Sequence, residues 1–413
     1  MERTTRLPAR RLRHVPLAAV TLGIIVLATL THAQRDVDEL RALAEQGNAA
    51  AQFNLARLYV TGTGVPQDEA DAEAARWYRL AAAQGHAGAQ HNLGLKYDTG
   101  IGVPEDDAEA VRWYRLAADQ GHWDAQFRLG WMSANGTGVS QDDGEAVRWY
   151  RLAADQGHAE AQFNLGQMYF NGRGVPQDRT DAARWVRLAA AQGNATAQVT
   201  LASMYETGSG VERDHALAAR WYRLAAVQGD ASAQVTLGYL YDEGRGVLED
   251  DAEAVRWIRV AAAAGYPEAQ FALGNMHFNG RGLPQDLGEA VRWVRLAAEQ
   301  GFVKAQFNLG LSYDTGTGVP RDSAEAAHWF RRAANQGDAT AQQNLGVMYA
   351  NGDGVPRDFV AAHMWLDLAA AQATGAARAS ALQRQDVVAR RLTADQIAEA
   401  DRRARAWTPV PEP

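Results

Sequence analysis

The sequence predicts an all-α fold: a solenoid of nine tandem helix–turn–helix units closed by C-terminal capping helices. Three observations carry this prediction. A tryptophan recurs every 36 residues, at Trp77, Trp113, Trp149, Trp185, Trp221, Trp257, Trp293, Trp329 and Trp365. A glutamine keeps step with it, at Gln52, Gln90, Gln126, Gln162, Gln198, Gln234, Gln270, Gln306 and Gln342, and only its first interval is longer, by two residues. Each unit also pairs apolar residues at helical spacing with a Gly-x-Gly turn. Repetition at such a period means a stack, in which each unit buries its apolar face against its neighbours. Without the repeats, a chain of 413 residues would divide into two or three domains, each with its own core.

The fourth repeat shows the elements in order. Ala161, Leu165, Met168 and Tyr169 fall at i, i+4, i+7 and i+8, one stripe of an α-helix. Gly172 and Gly174 end that helix, because glycine readily takes the left-handed conformation past a C-terminus. Pro176 delays the next helix until Asp178, an N-cap residue. In five copies a glutamate follows this aspartate by three residues, as Glu109 follows Asp106, which is the capping-box spacing. The second helix runs through residues 183–190 and stops at Gly193. Gly166 belongs to a column of Gly or Ala inside the first helices, at a cost of about 1 kcal/mol per glycine relative to alanine. Such a column lets two helix backbones approach closely, with the repeat's Trp expected to fill the space beside it.

Composition bounds the function. The net charge of −8 shows no long run of one sign, and the first 33 residues carry five arginines against one glutamate. The remainder is therefore more acidic still, and no nucleic-acid partner is expected. The absence of cysteine removes disulfides, thiolate metal sites and thiol nucleophiles. Arg3, Arg6, Arg10, Arg11 and Arg13, the apolar stretch Leu17 to Leu30 and Thr31-His32-Ala33 have the layout of a signal peptide over residues 1–33, cleaved before Gln34. Its 14 apolar residues fall short of the roughly 20 that span a bilayer, so membrane contact is expected only if the segment stays uncleaved as an anchor. The expected location is periplasmic or secreted.

The string Ala-Gln-x-x-Leu-Gly-x-x-Tyr, then Gly-x-Gly-Val-Pro-x-Asp, then Ala-x-x-Trp-x-x-x-Ala-Ala resembles the Sel-1-like repeat, a relative of the tetratricopeptide repeat. The resemblance covers residues 47–372, within an expected repeat region of 34–372. It implies a right-handed α/α superhelix with first helices on the concave side, and non-enzymatic scaffold or adaptor roles in the bacterial envelope or beyond it. Exported relatives that bind or cleave β-lactam and cell-wall compounds are rich in cysteine, which this chain lacks.

Comparing the copies separates scaffold from surface. Opposite the core stripe lie Phe53, His91, Phe127, Phe163, Phe271 and Phe307, in one column with Val199, Val235 and Gln343. Beside it runs the least uniform column of the repeat, Arg57, Leu95, Trp131, Gln167, Ser203, Tyr239, Asn275, Leu311 and Val347. A third column holds Val60, Phe170 and Phe278 with Asp98, Glu206, Asp242 and Asp314. With helices oriented as in the family, these columns line a concave groove. Aromatic residues at helix-to-helix intervals of roughly 8–10 Å suit an extended or helical polypeptide, and the carboxylates favour a ligand with basic residues. The expected partner is a protein or peptide, such as a membrane sensor or secretion complex. Recurrent second-helix arginines (Arg112, Arg115, Arg148, Arg151) also suit an envelope polysaccharide, although pairing with neighbouring carboxylates on a solvated face is the plainer role.

No catalytic residue, cofactor or metal site is expected. The Gly-x-Gly turns follow helices and lack the Lys-Ser/Thr of a phosphate loop. His86, His122 and His158 share one repeat position, so adjacent copies stand too far apart to ligate one ion. Residues 373–407 read as capping helices, with Thr393 and Gln396 at capping-box spacing, and 408–413 as a disordered tail.

Overall fold

The computed structural model describes residues 37–62 and 70–412, so the N-terminal stretch expected to be a signal peptide lies outside it. All regular structure among the described residues is α-helical. A first helix, α1, covers 37–45, and the remaining helices fall into two compact units. The unit ending at Asn194 holds the pairs α2 (Ala49–Thr61) with α3 (Ala70–Ala83), α4 (Ala87–Thr99) with α5 (Asp107–Asp119), α6 (Trp123–Asn135) with α7 (Asp143–Asp155), and α8 (Ala159–Asn171) with α9 (Arg179–Ala191). The unit beginning at Ala195 holds α10 (Ala195–Thr207) with α11 (His215–Val227), α12 (Ala231–Glu243) with α13 (Asp251–Ala263), α14 (Pro267–Asn279) with α15 (Leu287–Glu299), α16 (Val303–Thr315) with α17 (Ser323–Asn335), and α18 (Ala339–Asn351) with α19 (Phe359–Gln372). Within each unit, every second helix packs on its own partner and on the first helix of the next pair. The last pair is covered by α20 (Gly375–Ala389) and α21 (Ala394–Ala406), both packed on α19.

The helix ends form for local reasons. Asp106 Oδ1 accepts from the Glu109 amide at 3.0 Å, and the equivalent aspartates cap the other second helices from α7 to α19 in the same way. The glutamates do not complete the expected box. Glu109 turns to Arg112 at 3.2 Å and Glu145 accepts from Trp149 Nε1 at 3.2 Å. A reciprocal box forms at α21, where the Gln396 amide donates to Thr393 Oγ1 and the Thr393 amide to Gln396 Oε1. Gly172 ends α8 in the left-handed region at φ 69°. The second turn glycine has a different duty. A Cβ on Gly246 would stand 2.0 Å from the carbonyl oxygen of His215, so the turn lies directly on the start of the preceding second helix.

The small-residue column does bring helices together, but Trp is not what fills the notch. A Cβ on Gly130 would meet Tyr150 at 2.6 Å, and one on Gly238 would meet Ile258 at 2.5 Å. The filler is the residue after each Trp. Consecutive helical positions point roughly 100° apart, so the Trp itself turns away from the notch. Trp149 shares an apolar cluster with Leu129 and Met132 of its own repeat and Tyr114 of the preceding one, and Trp185 with Leu165, Met168 and Tyr150 in the same way.

The recurrent glutamine carries the contacts between repeats. Gln126 is buried, its Nε2 donates to the Ala118 carbonyl at 3.1 Å, and its Oε1 accepts from Gln156 Nε2 at 2.8 Å. One amide side chain thus ties the end of the preceding second helix to the end of its own repeat's. The same rung joins Gln84 to Gln52, Gln120 to Gln90, Gln192 to Gln162, Gln228 to Gln198, Gln300 to Gln270, Gln336 to Gln306 and Gln372 to Gln342. At Gln234 the donor position is Ala264, whose backbone (φ −75°, ψ −1°) matches that of Gln228 (φ −79°, ψ −1°).

Two predictions follow from this packing. Ala264→Gln completes the missing rung and raises the unfolding free energy by roughly 0.5–1.5 kcal/mol, read as a higher urea midpoint. An unchanged midpoint would mean that the rungs carry no stability. Gly238→Ala gains about 1 kcal/mol of helix propensity but drives a methyl into Ile258, for a net loss of roughly 1–3 kcal/mol. Calorimetry should show a lower Tm, and a rise would contradict the close approach.

Candidate functional site

The Phe53 column is held in the stack more than it is presented to solvent. Phe53 is half-buried, 5.9 Å from the Tyr78 ring and stacked at 4.5 Å on His86. His91 lies 5.7 Å from Tyr114 and stacks at 4.7 Å on His122. Phe127 lies 6.0 Å from Tyr150 and stacks at 4.5 Å on His158. Phe271 meets Phe302 at 5.4 Å, Phe307 meets Phe330 at 5.8 Å, and Phe163 is half-buried. Each of these pairs joins a first helix to its partner helix or to the turn entering the next repeat.

Those turn residues explain the histidine series. His86, His122 and His158 are N-caps, whose Nδ1 accepts from the amides of Ala89, Ala125 and Ala161 at 3.2, 3.4 and 3.3 Å. Asn48, Asp230 and Asp338 do the same work in other repeats. A capping Nδ1 must be unprotonated. Burial lowers the basicity of His122 and His158, against the opposing pull of Asp124 and Glu160. Burial also lowers that of His91, with His122 adding to the effect.

The fold therefore favours neutral histidine here. Its contribution is complete above the ordinary histidine pKa of about 6.5 and is lost as pH falls below it. Replacing the two caps in His122→Asn/His158→Asn, which cap without titrating, should flatten the decline in urea midpoint between pH 7.5 and 5. Each cap is worth on the order of 1 kcal/mol. Parallel declines in the wild type and the variant would refute this.

Five of the nine positions in the variable column are exposed. Trp131 is 42% exposed, Tyr239 36% and Leu311 42%. Arg57 and Ser203 are also exposed, and Leu95, Gln167, Asn275 and Val347 are half-buried. Alongside, Phe278 and Val60 are exposed, and half-buried Phe170 lies under the Arg179 guanidinium at 5.6 Å. In the second unit Asn275, Phe278 and Leu311 come together. They rim a cleft of roughly 330 Å³ between α14, α15 and α16, over Gly274, Ala290, Val291 and Val294, with Asn308, Ser312, Thr315 and Thr317 along its side.

Three of the carboxylates expected to read basic residues of a ligand are already engaged. Asp98 accepts from the Tyr114 hydroxyl at 3.1 Å and lies 3.8 Å from Arg128. Glu206 accepts from the Tyr222 hydroxyl at 3.1 Å and pairs with Arg245, and Asp242 lies 2.9 Å from Arg281. Burial raises the pKa of Tyr114 and Tyr222, and the adjoining carboxylates raise it further. Burial also raises that of Asp242 in spite of Arg281.

The second-helix arginines are engaged as well. Arg112 pairs with Glu109 at 3.2 Å, Arg115 with Glu145 at 2.9 Å, and Arg148 lies over Trp149. Arg79 and Arg331 donate to the hydroxyls of Tyr97 and Tyr349 at 2.9 and 3.0 Å, and Arg151 reaches Tyr169 in the same way. These exposed contacts add little stability, but they tie up much of the basic ladder along the second helices.

The Sel1 repeat model matches nine consecutive segments, 49–86, 87–122, 123–158, 159–194, 195–230, 231–266, 267–302, 303–338 and 339–373. No curated protein matches the sequence. Among solved structures, a Sel1 repeat protein from Oxalobacter formigenes is 37% identical, with 75% of this chain and 89% of that one covered and a TM-score of 0.63. A protective antigen present in uropathogenic Escherichia coli strains and displaying an SLR fold is 33% identical, with coverage of 90% and 94% and a TM-score of 0.52. Repeat by repeat, with its turn glycines, capping aspartates and glutamine rungs in place, the chain belongs to the Sel1 repeat family.

Proposed function

We propose that this chain is an exported scaffold that holds a partner protein through an extended or helical segment laid across its first helices. Sel1 repeat proteins are generally protein–protein interaction scaffolds, and their fold is typically non-catalytic. One observation carries the finer reading. The repeat positions that vary most include ones that leave large apolar side chains in solvent, at Trp131, Tyr239, Leu311 and Phe278. Leu80, Leu116, Leu152, Leu188 and Leu224 are exposed too but recur unchanged, and variation joined to exposure marks surface free to specialise. The cleft beside Leu311 and Phe278 is of a size to take one apolar anchor of such a segment, at the low end of the roughly 300–1,000 Å³ usual for ligand sites. Engagement of the carboxylates and arginines favours apolar anchoring over charge reading, and so a polypeptide over an anionic polysaccharide. Export rests on the arginine-rich, then apolar, N-terminal sequence. No helix among the described residues is long and apolar enough to cross a membrane.

The test is affinity capture after crosslinking in intact cells, comparing wild type with Phe278→Ala/Leu311→Ala in the second unit and, separately, with Trp131→Ala in the first. Hot-spot truncations of this kind cost roughly 2 kcal/mol or more in binding each, while exposed positions shift stability by only about 0.5 kcal/mol. Loss of the partner with an unchanged melting curve is the expected result. An intact partner set in a folded variant would dismiss this face.

A further inference from the structure

Composition predicts disorder for residues 408–413, yet 408–412 lie along the second unit in defined contact. The Val410 amide donates to the Asn335 carbonyl at 2.9 Å, and Trp407 packs edge-on against Trp365. The Glu412 carboxylate faces Arg332 side-on, with Arg332 Nε 2.9 and 3.1 Å from its two oxygens and a second guanidinium nitrogen also donating. Gln306 Nε2 donates to the same carboxylate at 2.8 Å, and the Glu412 amide reaches Gln336 Oε1 at 3.4 Å. An extended segment flanked by prolines is thus read by backbone and carboxylate together, as peptide-binding grooves read their ligands.

Three comparisons with the other repeats show that this place departs from the common pattern. Where repeat 8 has Arg332, seven others have leucine, exposed at Leu80, Leu116, Leu152, Leu188 and Leu224, half-buried at Leu296 and buried at Leu368. Pro409 lies against Gly337, whereas the equivalent Gly85, Gly121, Gly157, Gly193, Gly229 and Gly265 have open space at that position. Gln306 and Gln342 are both fully buried, where Gln126 and Gln162 remain 4–5% exposed, and of the two only Gln306 meets the tail's carboxylate. The Arg332 and Glu412 side chains are 25% and 24% exposed, so the pair is partly shielded from water. The guanidinium also holds the Glu412 carboxyl below its ordinary pKa.

We propose that Gln306, Arg332, Gln336 and Gly337 form a binding site for an extended, proline-flanked peptide carrying a carboxylate. The chain's own residues 409–412 are its occupant in cis, and a partner segment of the same chemistry enters by displacing them. The site shares no residue with Trp131, Phe278 or Leu311, so its failure and theirs are separable.

The test uses the full-length protein and a fluorescent peptide, Trp-Thr-Pro-Val-Pro-Glu-Pro, followed by anisotropy. In the wild type the tethered tail occupies the site, and apparent affinity falls in proportion to the open fraction. Glu412→Gln weakens the tail and should tighten peptide binding by about tenfold or more. Adding Arg332→Leu should abolish that gain. Leucine is the residue other repeats carry there, and an unchanged melting curve confirms the fold. Equal binding by wild type and Glu412→Gln, absence of binding by Glu412→Gln, or a gain that survives Arg332→Leu would each overturn the proposal.

Discussion

Most repeats of this chain hold a buried side-chain amide at both ends, and within each unit that requirement fixes how repeats follow one another. Apolar burial drives the hairpins together but is non-directional and tolerates sliding. A buried amide does not tolerate it, since a lost partner costs roughly 1–3 kcal/mol. Gln126 reaches back to Ala118 and is reached by Gln156, so the rung closes in one register only. The first repeat shows that the rung forms whatever the number of residues it spans. Two extra residues lie between Pro66 and Trp77, yet Gln84 still meets Gln52 at 2.8 Å.

Packing is subordinate to the same register. The second turn glycine can lie on the preceding second helix only if that helix arrives at a fixed depth, as the approach of Gly246 to the His215 carbonyl shows. The first-helix glycine can take Tyr150 or Ile258 only if paired helices keep their distance. Rung, turn and notch each touch nearest neighbours alone, so stability accumulates as a sum of local terms.

How much of this was legible in the sequence depended on how far each contact reaches. Helix ends were readable because their chemistry is local: Asp106 caps three residues on, Gly172 ends its own helix, and Thr393 pairs with Gln396. Uniform columns announced the core but not its contacts. Trp and the residue after it are both large and recurrent, and only the helix's rotation decides which one faces the glycine. The glutamine rungs span 30 residues within a repeat after the first, the carboxylate–arginine pair of Glu206 with Arg245 joins different repeats, and neither leaves a local signature. The histidine series shared one repeat position in the sequence, but its capping role was not legible there. A shared position in a repeat means a shared backbone task, and here that task is a cap. Of the candidate partner-binding residues, Arg57, Trp131 and Tyr239 are exposed, Leu95 and Gln167 are half-buried, and the phenylalanine column is largely taken up by packing.

In a stack whose repeats meet the same demands, departures from the pattern carry the information about function. Ala264 is a departure that only subtracts, leaving a rung without its donor. Trp131, Leu311 and Phe278 add apolar surface at positions that hold a serine, an asparagine and an alanine in other copies (Ser203, Asn275 and Ala134), so nothing in the stack calls for them. Arg332 replaces a leucine at the one place where a carboxylate from the chain's end arrives. Because the energetics are local, each departure can be kept or lost without cost to distant repeats. Specificity in such a protein therefore resides in a handful of side chains that the period does not require.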